Sequence, residues 1–160
     1  MSNFDIRISI KKLSNYSASL DNTEDKKTLL LMIKSFSYYI SNLYLRLIEE
    51  SINSRRYNGD WEPVEDKEYK NYIGTVPTTD ILYVIGDALE VVKIGHNFVV
   101  RVSPKYKYPG TNIPLIRVLR AIEYGTSKFN ARPLLAKNSQ HINRRILDLW
   151  RGYLMMKGVI

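Results

Sequence analysis

The chain has 160 residues, 44% of them hydrophobic, and carries 24 basic against 16 acidic side chains for a net charge of +8. Such a composition suits one domain over residues 1–160 and excludes a disordered tail; the absence of cysteine excludes disulfides and thiolate metal sites and fits a reducing cytoplasm. The longest apolar run, residues 29–33, falls far short of the roughly 20 residues of a membrane span, and residues 1–6 lack a secretory pattern, so a soluble, unexported protein without a membrane partner is expected.

Residues 4–13 alternate, with Phe4, Ile6, Ile8 and Ile10 set against Asp5, Arg7, Ser9 and Lys11, which predicts a half-buried strand. Asp21, with Glu24 three residues on, makes a capping-box start. Leu29, Ile33, Phe36, Ile40, Leu43 and Leu47 follow at steps of four and three, predicting an amphipathic helix over residues 23–52. A second row, Met32, Tyr39 and Leu43, widens its apolar face, which packs within the subunit or on a neighbouring chain as well. Tyr38, Tyr39 and Tyr44 carry polar tips suited to a wet interface. The run Arg55-Arg56-Tyr57-Asn58-Gly59 reads as a turn-rich exit.

Asp60, Glu62, Glu65, Asp66 and Glu68 then make one locally acidic segment in a basic protein. They lack the glycine-centred loop and closing glutamate of an EF-hand, so no metal is expected. Two readings stand: a solvated loop, or a surface that meets a basic face on the next copy, since head-to-tail rings join two unlike surfaces of one subunit. Gly, Pro and Thr punctuate residues 71–80 and predict an irregular connection. A hairpin follows, with Val92 and Ile94 on one arm, Phe98, Val100 and Val102 on the other, and Gly95-His96-Asn97 as the link. His96 is then an exposed turn residue, because no second metal ligand stands at a useful spacing. In residues 103–112 Lys105 and Lys107 interleave with Tyr106 and Tyr108. That loop is either plain surface or one that faces DNA or an adjacent ring.

Behind Pro114, the residues Leu115, Val118, Leu119 and Ile122 recur at helical spacing; Gly125 ends that helix as a left-handed C-cap, and Pro133 opens the next. Glu123 and Arg132 flank this corner, where a bidentate pair can set the angle between the helices, so Arg132→Ala is expected to lower stability. The last helix is predicted from Pro133 to Met156, with Ile142, Ile146, Leu149 and Tyr153 on its buried side and Trp150 adjacent. Its other side carries Lys137, His141, Arg144 and Arg151, a stripe that is either solvated or turned to DNA or a partner.

No nucleophile elbow, P-loop, dinucleotide fingerprint or His-Glu-x-x-His occurs, so neither catalysis nor a cofactor is expected. The elements in order predict an α+β domain, with a small antiparallel sheet of the N-terminal strand and the hairpin packed against the long N-terminal helix and the C-terminal helices.

The run Glu123-Tyr124-Gly125-Thr126-Ser127, followed by Ala131-Arg132-Pro133-Leu134-Leu135 and a polar-apolar helix, resembles the closing signature of the small head-to-tail joining and tail-completion proteins of long-tailed bacteriophages. It covers the last third of the chain, and Leu134 stands where the family usually has an aromatic residue. Trp61-Glu62-Pro63 and Gly86-Asp87-Ala88-Leu89 are similar to the middle of the same family. The resemblance implies a structural component of the virion neck, a tail terminator or completion protein that forms a ring of six copies and is assembled in the host cytoplasm. Portal, stopper or connector proteins would lie on one side and tail tube or sheath proteins on the other, with genomic DNA passing through the lumen. On that reading Tyr124 and Thr126 join the acidic segment as subunit or partner contacts. The competing class is a stand-alone basic nucleic-acid-binding module, to which the net charge and the Lys-Tyr loop point without a recognition helix or aromatic RNA-binding motif.

Overall fold

Ile6 and Ile8 alternate with Arg7 and Ser9, and the alternation makes β1 (Ile6–Ser9), one edge of a three-stranded antiparallel sheet. The computed structural model describes residues 3–19, 25–58, 79–125, 131 and 133–160. β2 (Leu89–Ile94) and β3 (Asn97–Val102) form the predicted hairpin, with β3 central in the order β1-β3-β2. Val100 stands between Ile6 and Val91, and Ile94 already pairs with Asn97. The turn is therefore Gly95 and His96 alone, with Gly95 at φ 59°, where a side chain would be strained. Ile6, Ile8, Phe98, Val100 and Val102 are buried in the core. On the opposite face of the sheet Arg101 pairs with Glu90 at 2.8 Å.

The strand stops earlier than the alternation predicts. Ser9 is both the last residue of β1 and the N-cap of α1 (Ile10–Ala18), its hydroxyl accepting a hydrogen bond from the Lys12 amide at 3.1 Å. Ile10 and Leu13 fit a helix face as well as a strand face, and the serine cap decides between them. Leu13 is buried, and Ser17 Oγ accepts from the Trp150 indole at 3.1 Å, which ties α1 to the C-terminal region.

The long helix is α2 (Lys26–Asn58), 33 residues. Asp21 and Glu24, the expected cap, lie outside the described residues; the observed cap is Asp25, whose carboxylate accepts from the Thr28 amide at 2.8 Å and from its hydroxyl at 3.2 Å. Those bonds hold the Asp25 carboxyl below the usual carboxylate range. α2 also runs through Arg55–Asn58, the stretch read as a turn, because no residue there breaks a helix. Ile33, Phe36, Ile40, Tyr44, Ile48 and Ile52 form its buried row, with Met32, Tyr39 and Leu43 half-buried beside it. Each large apolar side chain so buried contributes about 1.5–3 kcal/mol.

α3 (Thr79–Ala88) replaces the end of the irregular connection, residues 71–78 of which lie outside the described residues. Ile81, Ile85 and Ala88 share its buried face, and Gly86 allows a close approach to α2, since a Cβ there would stand 3.3 Å from a Leu45 methyl. After α4 (Leu115–Tyr124) the expected single terminal helix is two, α5 (Ala136–Arg144) and α6 (Ile146–Met156). They are separated at Arg145, with φ −109° and ψ 14°. The row Ile142, Ile146, Trp150 continues across that break, so periodicity carries no sign of it. Trp150, not Leu149, centres the buried side, with its ring 5.1 Å from Phe36 and 6.0 Å from Tyr153. Asn143 grips the edge of β1, its amide donating to the Asp5 carbonyl at 3.1 Å and accepting from the Arg7 amide at 3.0 Å. The architecture is α+β, a small antiparallel sheet against a long N-terminal helix and C-terminal helices. Among the described residues no helix is long and apolar enough to cross a membrane.

Candidate functional site

Three surfaces compete for a functional role, and the first is the corner between α4 and α5. A helix leaves its first amides without intrahelical partners, and α5 has no side-chain cap of its own. Glu123, from the end of α4 and only 4% exposed, supplies one. Its Oε2 accepts from the Leu134 and Leu135 amides at 2.7 and 2.9 Å, and its Oε1 from the Ala136 amide at 2.9 Å. The negative charge also sits at the positive end of the α5 dipole. Arg132 and Thr126 lie outside the described residues; the partners that the structure gives Glu123 are backbone amides.

Gly125 has the positive φ expected of it, 75°, but its ψ of 177° is not that of a left-handed helical cap. It occupies the mirror-extended region open in practice to glycine alone, while its amide still donates to the Ala121 carbonyl at 2.9 Å. Pro133 is exposed and precedes α5, which opens at Ala136. Beneath the corner the Tyr44 hydroxyl donates between the Phe4 and Leu135 carbonyls, each at 3.2 Å. Burial and the nearby Glu123 charge hold that hydroxyl protonated well above the ordinary tyrosine range. Tyr124 stacks on Phe4 with ring centres 6.0 Å apart and remains 57% exposed, so the corner presents an aromatic side chain to the outside.

The second surface is cationic. Lys105 and Lys107 are exposed, but Tyr106 and Tyr108 lean inward onto the core. The Tyr108 amide donates to the Ile113 carbonyl at 2.8 Å and the Leu115 amide to the Tyr106 carbonyl at 2.9 Å, closing the loop into a narrow ribbon that leads into α4. The ribbon thus offers charge, while its rings are engaged in packing. Lys137, His141, Arg144 and Arg151 are all exposed, distributed over α5 and α6 instead of along one helix. The acidic segment Asp60, Glu62, Glu65, Asp66 and Glu68 lies outside the described residues.

The third surface is a half-open groove of about 650 Å³ between α1, the first turns of α2 and the β2–β3 turn. Ile10, Leu29 and Leu30 supply its apolar lining. Lys11, Lys26 and Lys93, all exposed, supply its charge, and among the described residues no carboxylate lines it. The Ile10 amide donates to the His96 carbonyl at 3.1 Å, pinning α1 against the turn. The volume falls within the range of sites that hold small molecules or partner side chains, roughly 300–1,000 Å³. Chemically the groove can bind an anionic group beside an apolar one. Sequence reasoning misses it because its lysines come from three separate elements. The one local sign is the pair Lys26 and Lys27 in the first turn of α2, which contains no acid, although acids are favoured at that end of a helix.

Among the described residues no three imidazole, thiol or carboxylate groups gather to hold a metal ion. No family model, curated protein or solved structure matches this chain.

Proposed function

We propose that the chain is a structural protein of a long-tailed phage neck, a tail terminator or completion subunit that assembles into a ring and joins the head connector to the tail. The observation that carries this reading is the corner. The residues that bear the family resemblance, Glu123-Tyr124-Gly125 and Pro133-Leu134-Leu135, form one tightly bonded bend held by a carboxylate on three amides. A ring requires subunits whose angles do not vary from copy to copy, because small errors accumulate around the circle and prevent closure. A bend fixed by a buried charge and a glycine-only conformation meets that requirement. On this reading the subunit lies in the virion neck, six copies being the number that the resemblance implies, with portal, stopper or connector proteins and tail tube or sheath proteins as neighbours and genomic DNA crossing the lumen.

The test is the solution mass of the purified chain by native mass spectrometry, with electron microscopy of the same sample. The expected result is a discrete closed oligomer around a central passage; a chain that remains monomeric at all concentrations overturns the reading. A second reading, a stand-alone nucleic-acid-binding module, draws on the exposure of Lys105, Lys107, Lys137, Arg144 and Arg151. It requires the monomer to bind a short duplex with an affinity that falls steeply as salt rises.

A further inference from the structure

The basic groove and the acidic segment lie at opposite ends of one helix. Lys26, Leu29 and Leu30 are in the first turns of α2, and the chain leaves α2 at Asn58. At a rise of about 1.5 Å per residue, Leu30 and Asn58 stand about 42 Å apart. Beyond Asn58 comes Gly59-Asp60-Trp61-Glu62-Pro63-Val64-Glu65-Asp66, in which two apolar side chains, Trp61 and Val64, sit among four carboxylates. Even fully extended at about 3.6 Å per residue, the chain carries Asp66 no more than about 29 Å from Asn58. Side-chain reach does not close the difference. This segment cannot enter the groove of its own subunit.

Its chemistry nonetheless matches that groove. Ile10, Leu29 and Leu30 offer an apolar bed, and Lys11, Lys26 and Lys93 surround it with positive charge, with no carboxylate among the described residues that line it. Among the described residues the ion pair observed is Arg101 with Glu90, so the groove lysines are not consumed by it. We propose that the groove of one subunit receives the segment around Trp61 and Val64 of a second copy, with Asp60, Glu62, Glu65 and Asp66 facing Lys11, Lys26 and Lys93. The contact joins two unlike surfaces displaced along α2, so each copy offers a groove at one end and its own segment at the other. Such a contact propagates from copy to copy and closes only as a ring. This inference rests on the ring reading and supplies its joint.

Charge-swap variants of the full chain test it by sedimentation velocity. One variant reverses the groove (Lys11→Glu, Lys26→Glu, Lys93→Glu), one reverses the segment (Asp60→Lys, Glu62→Lys, Glu65→Lys, Asp66→Lys), and a third combines both sets. Because the three lysines are exposed, the groove variant should retain the wild-type circular dichroism spectrum. Each single set is expected to weaken association by about 100-fold or more, and the combined variant to restore it to within about tenfold of wild type. A ring that persists in both single variants overturns the joint and leaves the ring reading standing. A wild-type chain that stays monomeric overturns the ring reading, and a labelled peptide of residues 58–69 then judges the groove alone. Peptide binding by wild type that is lost in the groove variant supports the site, and absence of binding overturns it. Binding of a short DNA duplex that depends on the three lysines, while the peptide is ignored, also overturns it.

Discussion

Two helices of this chain begin under opposite electrostatic conditions. α5 starts in the interior, where the Glu123 carboxylate takes the Ala136 amide and those of Leu134 and Leu135 just before the helix. α2 starts at the surface, where the Asp25 carboxylate takes the Thr28 amide and hydroxyl and the next two positions are Lys26 and Lys27. The first arrangement serves stability on every count, with an anion at the positive end of a dipole, buried and fully bonded. The second places cations where the dipole repels them and adds Lys11 and Lys93 across the groove. Local rules are broken where a surface is committed to something other than the fold, and the contrast separates a start whose charge serves the fold from one whose charge works against it.

The sharpest way to break the contrast is at its rigid end. Glu123→Ala removes the acceptor of three amides at a buried helix start and should cost about 3 kcal/mol, a fall in Tm of roughly 6–12 °C. A melting curve shifted by less than about 2 °C would mean that the corner closes without the carboxylate. Gly125→Ala forces a side chain into the mirror-extended region and should cost about 1–3 kcal/mol, seen as a lower urea midpoint at unchanged slope. Tyr44→Phe, which removes a buried hydroxyl shared by two carbonyls, should cost about 1 kcal/mol at neutral pH.

Tyr44 also predicts an alkaline limb. Its hydroxyl is held protonated in the folded chain, whereas the unfolded chain loses that proton near pH 10.0. Stability is therefore undiminished below that value and falls as the pH rises past it. Urea titrations at increasing pH should show a shallower decline for Tyr44→Phe than for wild type. Tyr153, raised in the same direction by burial, leaves a residual slope.

The smallest effects lie at the other end and carry the opposite sign. Lys26→Glu and Lys27→Glu each put an acid into the first turn of α2 and should raise stability by about 0.3–1 kcal/mol. Lys26 lines the groove and Lys27 does not, so only the former should weaken self-association in the sedimentation assay. Equal loss in both would assign the effect to overall charge. On the acid side, the depressed Asp25 carboxyl contributes stability that is present above its unfolded value and is lost as the pH falls below it. Asp25→Asn should flatten that limb of the stability curve.

Elements whose signal is periodic were legible in the residues alone. The hairpin was read from spacing and is in place, although Val92 and Ile94 pair with Val99 and Asn97 and so lie on the face opposite Phe98 and Val100. In α2 Ile33, Phe36 and Ile40 are buried as expected, while Tyr44, Ile48 and Ile52 continue the buried row and leave Leu29, Leu43 and Leu47 half-buried beside it. The limits are equally specific. α1 was hidden because Ile10 and Leu13 satisfy two periods at once, although Ser9 followed by the Lys12 amide was a cap in plain view. The break at Arg145 left no trace because the apolar row passes through it undisturbed. Glu123 was singled out with Arg132 as its expected partner; Arg132 lies outside the described residues, and the backbone amides that hold Glu123 have no identity in a sequence. The groove was the least legible feature, since it exists only once residues 10, 26 and 93 have been brought together by the sheet and α2.

Asn143 has a further consequence for how copies of this chain can meet. β1 is a short outer strand whose unpaired peptide groups invite another chain to extend the sheet. The Asn143 amide occupies the Arg7 N–H and the Asp5 carbonyl, the groups an intruding strand would need first. Fibril-like stacking is thereby denied a foothold along this margin.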